Sequence, residues 1–211
     1  MRIVCLSDTH LSHNFKVPEG DMLIHAGDLT GMGTFREVKA AAEWLASLPF
    51  KHKVVIAGNH DWLFQKDPVF ARQTLLAYDP QINYLQESGV EIEGLKIWGS
   101  PWTPRFFNWA FQLPPSHDHW DRIPEGTDIL VTHGPPKGIL DLIPRGEHVG
   151  DLLLLSAVER IAPTLHVFGH IHSAAGMHHW TPIGDVVPIF VNASICDEMY
   201  DPTHPPITID L

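Results

Sequence analysis

One pattern constrains the fold most: short apolar runs that end directly in side chains able to bind metal occur five times along the chain. In the clearest case, residues 54–57 (VVIA) are followed by Gly58, Asn59, His60 and Asp61. The apolar, β-branched run predicts a buried strand, and chemistry in open α/β sheets collects at the carboxyl ends of strands. A single junction is a weak indication, because Asn and Asp also serve as turn and helix-cap residues.

The other four blocks follow further predicted strands. They come after strands predicted at 3–7, 21–26, 128–132 and 165–168, and they contain Asp8 and His10, Asp28, His133, and His170 and His172, respectively. Residues two apart in extended backbone point to the same side, so we expect each Asp-x-His or His-x-His pair to aim both side chains at one point. Taken alone, each block favours a polar turn, but five such blocks at strand ends by chance are improbable.

Helical patterns separate these strands and predict an α/β fold. Helices are predicted at 34–48, with a Thr34–Glu37 capping box, at 67–77 and at 151–161, and further strands at 94–99, 187–191 and 207–209. The strand–helix–strand order at 21–57 favours a right-handed parallel unit. With 211 residues, 44% of them hydrophobic, and no linker-like stretch, the chain is expected to form a single domain over 1–211.

Charge and cysteine content disfavour some classes of function. The formal net charge is -11, which argues against binding duplex nucleic acid, since that needs a basic stripe. No apolar stretch in the sequence is long enough to span a bilayer. Cys5 and Cys196 both sit in apolar runs and are interpreted as small core residues rather than a disulfide framework. We therefore expect a cytoplasmic protein without a membrane partner, and its oligomeric state stays open.

The strand-end side chains together predict a two-metal site. They are Asp8, His10, Asp28, Asn59, His60, His133, His170 and His172. One metal would leave several of these groups unused, whereas two metals that share a carboxylate use all of them except one. The mixed nitrogen and oxygen set favours manganese, iron, cobalt, nickel or zinc over magnesium or calcium. Two such ions about 3.5–4 Å apart can clamp a phosphoryl centre and activate water, which leaves His60 as general acid or transition-state charge stabiliser.

The five blocks, in the same order, resemble those of the calcineurin-like metallophosphoesterases over nearly the whole chain. Four segments, 57–60 (AGNH), 100–104 (SPWTP), 132–136 (THGPP) and 165–169 (LHVFG), are similar to the metallophosphoesterase-domain-containing branch, which is related to class III cyclic-nucleotide phosphodiesterases. The resemblance implies an α/β fold, a four-layer α/β/β/α sandwich of two mixed sheets with the metals at strand ends.

The resemblance also implies how the ligands divide between two divalent metals. One metal takes Asp8, His10, Asp28 and His172, and the other takes Asp28, Asn59, His133 and His170, with Asp28 as bridge and His60 as the catalytic histidine. Some animal members of the branch carry glycine where His170 stands, so a full second site is expected here. Many members carry glutamate where Asp61 stands, and we interpret Asp61 as an N-cap of the next helix. Manganese is the metal expected to work in vitro.

Loops contain the candidate substrate contacts. Arg105 lies in an aromatic segment, 100–111, that can stack a base and hold a phosphate, although a rigid loop packed on the core is the favoured interpretation. His13 follows the first block, and Arg145 precedes the third predicted helix; for both, a solvated loop is the simpler alternative. Asn192 ends a predicted strand and is either an outer partner of the site or a turn residue.

The function expected from these residues is hydrolysis of a small-molecule phosphoester. A phosphodiester, such as a cyclic nucleotide or another nucleotide diester, is favoured because the ligand set is complete and no separate cap domain is evident. A phosphomonoesterase or phosphoprotein phosphatase remains open. A scaffold that binds metal or nucleotide without turnover is disfavoured by the presence of His60 and His170.

Overall fold

The computed structural model describes residues 1–184 and 186–211. Its strands and helices, in chain order, are β1 (Arg2–Leu6), β2 (Met22–Ala26), α1 (Phe35–Ser47), β3 (His52–Ile56), α2 (Trp62–Lys66), α3 (Pro68–Tyr78), β4 (Ile82–Tyr84), β5 (Ser88–Ile92), β6 (Leu95–Ser100), β7 (Thr103–Pro104), β8 (Gln112–Leu113), β9 (Ile129–Thr132), α4 (Leu152–Ile161), β10 (Leu165–Phe168), β11 (Gly176–His179), β12 (Ile189–Asn192) and β13 (Ile207–Asp210). Short 3-10 turns lie at His119–Arg122 and His172–Ala174.

The strands form two mixed sheets. In the first, the order is β13-β1-β2-β3-β4, and every pairing is parallel except that of β13 with β1. In the second, the order is β11-β12-β10-β9-β6-β5, with four parallel strands in the centre and an antiparallel strand at each edge. Parallel sheets of this kind need cover on both faces, because their strands are apolar on both sides.

Alternating side chains of the strands build the layers. Ile3 of β1 packs between the sheets with Val131 of β9, whereas its neighbour Val4 points to the other face and packs against Leu45 of α1. On the outer face of the second sheet, Leu154 of α4 belongs to a separate buried cluster. Helices therefore cover both outer faces, and the predicted four-layer α/β/β/α sandwich is confirmed.

The three longer helices begin where the sequence predicts. Thr34 and Glu37 form the capping box of α1, each side chain accepting a hydrogen bond from the other's backbone nitrogen. Asp67 and Asp151 cap α3 and α4 in the same way, with carboxylates that accept backbone N–H groups of the first turn. These side chains satisfy donors that have no partner inside the helix.

Several short elements of the structure were not predicted from the sequence. The five-residue α2 and the three-residue β4 are too short for a hydrophobic period to stand out. Strand β11 is exposed along most of its length, so it shows no alternation of buried and exposed residues. The strand predicted at 187–191 is present as β12, displaced by two residues at its start.

The two sheets present their strand ends to a common place. The ring of His133, which follows β9 in the second sheet, donates from Nδ1 to the carbonyl oxygen of Ala26 at the end of β2 in the first, at 2.9 Å. The polar blocks after β1, β2, β3, β9 and β10 therefore gather at one edge of the sandwich. Among the described residues there is no helix with the length and apolar character needed to cross a membrane.

Candidate metal centre

The predicted strand-end residues meet where the two sheets end. Three groups each hold carboxylate and imidazole atoms within 4.8 Å of one another: Asp8, His10 and His172; His10, Asp28 and His60; and Asp8, Asp28 and His133. Asn59 Oδ1 lies 2.9 Å from His133 Nε2, and the ring centroid of His170 lies 5.1 Å from that of His133. Residues from five separate parts of the sequence thus form one cluster.

Asp28 lies at the centre of this cluster. Its Oδ2 is 3.3 Å from His133 Nε2, 3.8 Å from His10 Nε2 and 4.0 Å from His60 Nε2. Its Oδ1 accepts a hydrogen bond from the backbone nitrogen of His60 at 2.8 Å. Burial alone would raise the pKa of Asp28, but the surrounding histidines, His133 foremost, hold that pKa well below its usual range. The carboxylate is therefore ionised and faces both halves of the cluster.

Backbone carbonyl groups orient three of the histidines. In each, Nδ1 lies within hydrogen-bond distance of a carbonyl oxygen; the pairs are His10 with Thr30 (3.0 Å), His133 with Ala26 (2.9 Å) and His172 with Asp197 (2.8 Å). A carbonyl oxygen can only accept, so Nδ1 carries the proton in all three rings. Their Nε2 atoms are then free to act as ligands, the arrangement typical of metal-binding histidines.

The cluster places electron-rich atoms against one another. His10 Nε2 and His172 Nε2 are 3.4 Å apart. Asp8 Oδ1 is fully buried, has no well-aligned hydrogen bond within residues 1–184 and 186–211, and lies 3.4 Å from His172 Nε2. Such an arrangement needs positive charge, either protons or cations, to be stable. The mixed imidazole, carboxylate and amide set fits divalent transition metals.

The pKa values show how protons occupy the cluster when metal is absent. Burial alone would lower the pKa of His133 and of His172, but Asp28 raises the former and Asp8 raises the latter, each to about 9. Burial, reinforced by the neighbouring His133, lowers the pKa of His170 to about 4. At neutral pH His133 and His172 are therefore doubly protonated, and an incoming metal ion must displace the proton on Nε2 of each ring.

The backbone at the ligands differs from the extended conformation predicted for the Asp-x-His and His-x-His pairs. Strand β1 ends before Asp8, which has φ 52°, and His10 has φ 44°. Asp28 (φ 53°) and His170 (φ 70°) are likewise left-handed. The pairs converge as expected but through strained turns, the type of backbone that collects at functional sites. His172 consequently joins Asp8 and His10, whereas His170 lies beside His133.

Two of the polar blocks are preceded by a glycine because the backbone there passes too close to a carboxylate to leave room for a Cβ atom. A Cβ on Gly169 would stand 2.0 Å from Asp8 Oδ2, and a Cβ on Gly58 would stand 2.3 Å from Asp28 Oδ1. The backbone before His170 and Asn59 therefore lies directly against the buried carboxylates. The backbone nitrogen of His170 uses this proximity to donate to Asp8 Oδ2 at 2.9 Å.

Asp61 does not cap α2, contrary to the prediction. It stands at the N-cap position, but its side chain makes no capping hydrogen bond. Instead the buried carboxylate accepts from the backbone nitrogens of Leu29, Thr30 and Gly58 at 2.8–3.1 Å and from the Thr30 hydroxyl at 2.6 Å. Asp61 thereby ties the segment after Asp28 to the turn that carries Asn59 and His60. Burial, reinforced by Asp28, raises the pKa of Asp61 to about 6.

His60 sits beside the ligands with its ring held on several sides. Its Nδ1 lies 2.6 Å from the carbonyl oxygen of Gly31, so by the same argument Nε2 is the atom that faces Asp28 and the cavity. Trp109 stacks on the ring with centroids 4.2 Å apart, and the His10 ring meets it edge-on at 4.7 Å. The position fits a group that exchanges a proton with a substrate oxygen.

Three further residues around the site could not be identified from the sequence. Tyr200 packs edge-on against His10 with ring centroids 4.8 Å apart, and Ser194 donates from Oγ to Asp8 Oδ2 at 2.8 Å. Trp109 is marked in the sequence only as part of an aromatic loop. Asn192 combines both predicted uses, since its Oδ1 accepts from the backbone nitrogen of Ser194 at 3.2 Å, as in an Asx turn, and so positions the serine that contacts Asp8. Trp109 and Tyr200 follow no predicted strand, and Ser194, two residues beyond β12, has a side chain unlike the metal-binding ones of the pattern.

A cavity of about 740 Å³ opens over the cluster. Its lining includes Arg105 and Arg145, together with exposed Phe106 and Phe107. The segment 100–111 thus serves two purposes: its ends are buried in the core, as the favoured interpretation expected, while its tip lines the cavity.

His13 is placed elsewhere. Its ring stacks on Trp44 of α1 at 4.0 Å, nearly parallel, and it is not among the described residues that line the cavity. Burial lowers the pKa of His13 to about 4, so the ring is neutral at pH 7. This position gives no support to the predicted substrate contact, which arose from sequence proximity to His10 alone.

Substituting Gly169 with alanine is expected to weaken metal binding about 10- to 100-fold, the usual effect of displacing a group that orients a ligand. The added methyl group would collide with Asp8 and push it from its place. Titration of the metal-free protein with Mn²⁺ measures the effect. Gly126→Ala is the control, because a Cβ there meets nothing within 4 Å, and the positive φ of Gly126 adds only backbone strain away from the cluster. Equal affinity of the two variants would contradict this geometry.

Binding of Mn²⁺ should release protons and strengthen as pH rises from about 6 towards 9, since metal competes with protons for its ligands. The reason is that His133 and His172 are protonated below their pKa values of about 9 in the metal-free protein. Calorimetry in two buffers of different ionisation enthalpy counts the protons released. An affinity that does not change over this pH range would show that these rings are not displaced by metal.

Comparison with known proteins agrees with the geometry. The family model described as calcineurin-like phosphoesterase matches residues 1–174. Metallophosphoesterase domain-containing protein 1 of Homo sapiens is 43% identical over 236 residues, which cover 100% of this chain and 71% of that protein. UPF0046 protein T07D4.2 of Caenorhabditis elegans is 35% identical over 243 residues, covering 100% of this chain and 60% of the other.

The fold has solved counterparts as well. The crystal structure of TT1561 of Thermus thermophilus aligns with a TM-score of 0.60 at 13% identity, covering 99% of this chain and 98% of that one, a likeness of fold alone. The resemblance carried by the five motif blocks is confirmed by the family match and by the human relative, whose alignment covers the whole of this chain. The chain belongs to the calcineurin-like phosphoesterases, a family of enzymes that hydrolyse phosphoesters.

Proposed function

We propose that this protein is a phosphodiesterase that depends on two divalent metal ions and acts on small phosphodiesters, with cyclic nucleotides and other nucleotide diesters as the first candidates. One observation carries the proposal: imidazole Nε2 atoms converge on the buried carboxylates of Asp8 and Asp28 beneath a cavity of about 740 Å³. A site of this composition binds cations, and cations at the floor of a cavity attract a phosphate group.

The ligands divide into two sets in the proposal. One ion is held by Asp8, His10, Asp28 and His172, and the other by Asp28, Asn59, His133 and His170. The shared role of Asp28 rests on its Oδ2, which lies within 3.8 Å of a histidine from each set. When bound, the ions supply Lewis-acid activation of the phosphoryl group and of a water nucleophile. We propose manganese as the ion that supports activity in vitro, with iron, zinc, cobalt and nickel as alternatives.

His60 is proposed as the catalytic acid. The carbonyl of Gly31 fixes the proton on Nδ1, so in the charged ring Nε2 carries the second proton and faces the cavity. From there it can protonate the oxygen of the leaving group as the phosphorus–oxygen bond breaks. His60 Nε2 lies 4.0 Å from Asp28 Oδ2 and lines the cavity, so the proposal gives it the substrate side of the cluster.

The cavity favours a diester over a monoester. Its volume of about 740 Å³ far exceeds a phosphate group, and beyond the cluster its walls combine apolar residues, among them Phe106, Phe107, Ile143 and Pro144, with the charged Arg105, Arg145, Glu147 and Glu198. Such walls suit organic substituents on the phosphorus, of which a diester has two. Arg105 is proposed to contact a further polar or anionic part of the substrate.

The cysteines support a cytoplasmic location in the proposal. Cys5 and Cys196 are both unbonded and buried, and burial raises the pKa of the Cys5 thiol to about 12. A buried thiol of this kind is inert and contributes only to packing. We propose that residues 1–211 act as one catalytic domain on a small-molecule substrate, without duplex nucleic acid or a membrane as partner.

Activity on aryl esters tests the proposal. The Mn²⁺-loaded protein should hydrolyse bis(p-nitrophenyl) phosphate with a higher kcat/KM than p-nitrophenyl phosphate. His60→Ala should lower kcat on the diester by about 10²- to 10⁴-fold, the usual contribution of a general acid, while metal content stays at the wild-type value. His178→Ala is the matched control, because His178 is an exposed histidine on β11 outside the cavity lining.

Three outcomes would overturn the proposal. A faster monoester reaction would make the enzyme a phosphomonoesterase. Tight metal and nucleotide binding with no turnover would make the protein a scaffold. Absence of diester hydrolysis with manganese, iron, zinc, cobalt and nickel would remove the phosphodiesterase assignment.

A further inference from the structure

The ring of His60 depends on more than its hydrogen bond to Gly31. A single hydrogen bond at Nδ1 fixes one point of an imidazole, yet the ring plane can still rotate about that point. Trp109 covers one face of the ring, with centroids 4.2 Å apart and an interplanar angle of 24°. The stacked indole therefore restricts the rotation that the hydrogen bond leaves free, and this determines where Nε2 points.

The chain around Trp109 is attached to the same turn that carries His60. The backbone nitrogen of Ala110 donates to the carbonyl oxygen of Asn59 at 3.0 Å, and the backbone nitrogen of Phe111 donates to Gln65 Oε1 at 3.2 Å. Ala110 and Phe111 are both fully buried. The indole is thus held by a rigid support whose position is set relative to the histidine.

The rest of the aromatic segment lacks this attachment. Phe107, two residues earlier, is 78% exposed and lines the cavity, and its ring packs edge-on against neighbouring Phe106 with centroids 4.4 Å apart. Trp109 is half-buried, lines the same cavity, and has its ring against His60. Two neighbouring aromatic residues of one loop therefore have different surroundings, and the difference allows their roles to be separated by experiment.

We propose that Trp109 is a positioning residue: its indole holds the His60 imidazole in the orientation that delivers a proton from Nε2 to the leaving oxygen. The proposal rests on the proposed function of His60. It differs from a role in substrate binding, because Trp109 then affects the rate only when His60 is present. It also differs from a general role in folding, because the loss of kcat on removing Trp109 should be larger for substrates whose leaving group requires protonation by an acid.

A double-mutant cycle tests this dependence. Trp109→Leu should lower kcat on diphenyl phosphate by about 10- to 100-fold, as expected for a misplaced catalytic group, with a smaller loss on bis(p-nitrophenyl) phosphate, whose leaving group needs less help from an acid. In the His60→Ala background, Trp109→Leu should change kcat no further. Trp109→Phe, which keeps a flat ring, should retain most of the wild-type rate.

Phe107→Leu is the matched control from the same loop. Its effect should appear in KM, should be similar for both diesters and should add to that of His60→Ala. If Trp109→Leu does not fold, Trp109→Met repeats the comparison, because its flexible apolar side chain fills space without offering a flat face.

Nuclear magnetic resonance gives a readout that does not use activity. In the metal-free protein the ring protons of His60, identified by their loss in His60→Ala, should be shifted upfield by the indole. They should move downfield in Trp109→Leu and stay in place in Phe107→Leu. Additive losses of kcat, equal losses on both substrates or unmoved His60 signals would overturn the proposal. If wild-type protein hydrolysed no diester, the proposed function would fail, while the spectra would still test the stack.

Discussion

The whole site depends on one electrostatic constraint. Backbone carbonyl groups hold Nδ1 of His10, His133 and His172 in their protonated form, which turns the Nε2 lone pairs towards two buried carboxylates. Lone pairs and carboxylates in a space with little water repel one another unless positive charge lies between them. The pKa values of about 9 for His133 and His172 are the metal-free expression of this need. When divalent metal is present, the same requirement for positive charge favours metal binding.

The fold maintains this arrangement by restricting the backbone rather than by adding contacts to the ligands alone. Gly58 and Gly169 let the chain lie against the carboxylates. The carboxylate of Asp61 collects three backbone N–H groups from two segments, so that the loop after β2 and the turn after β3 keep a fixed relation. Four of the proposed ligands, Asp8, His10, Asp28 and His170, have left-handed backbone that would be unfavourable in isolation. The apolar side chains buried between the two sheets and under the helices stabilise the fold enough to offset this backbone strain.

Much of this could be predicted from the sequence, and the reason is topological. Parallel strands carry their carboxyl ends to one edge, so polar side chains that follow apolar runs must meet there. His10 and Asp28 illustrate this, since they follow neighbouring parallel strands and their side chains are 3.8 Å apart. The 3.3 Å contact of Asp28 with His133 depends in addition on how the two sheets pack. The prediction of extended Asp-x-His backbone was wrong, because the strand ends two residues before Asp8 and a turn brings the pair together.

What could not be predicted came from loops and from single side chains. Trp109 and Tyr200 reach the site from segments whose path is set by tertiary packing, and no spacing marks them. Asp61 looked like a helix cap because residue type and position suited one, but three donors from the segment after Asp28, together with the backbone nitrogen of Gly58, take up its carboxylate. His13 was assigned to the site by its nearness to His10 in sequence, whereas stacking on Trp44 directs it to the surface of α1.

The most direct test of the account is the number of metal ions that each chain holds. Mass spectrometric metal analysis after loading with Mn²⁺ and removal of excess should give two ions per chain for the wild type, and Asp28→Ala should lose both, because both sets of ligands share that carboxylate. A wild-type chain that held one ion or none, or an Asp28→Ala chain that still held two, would contradict the central claim.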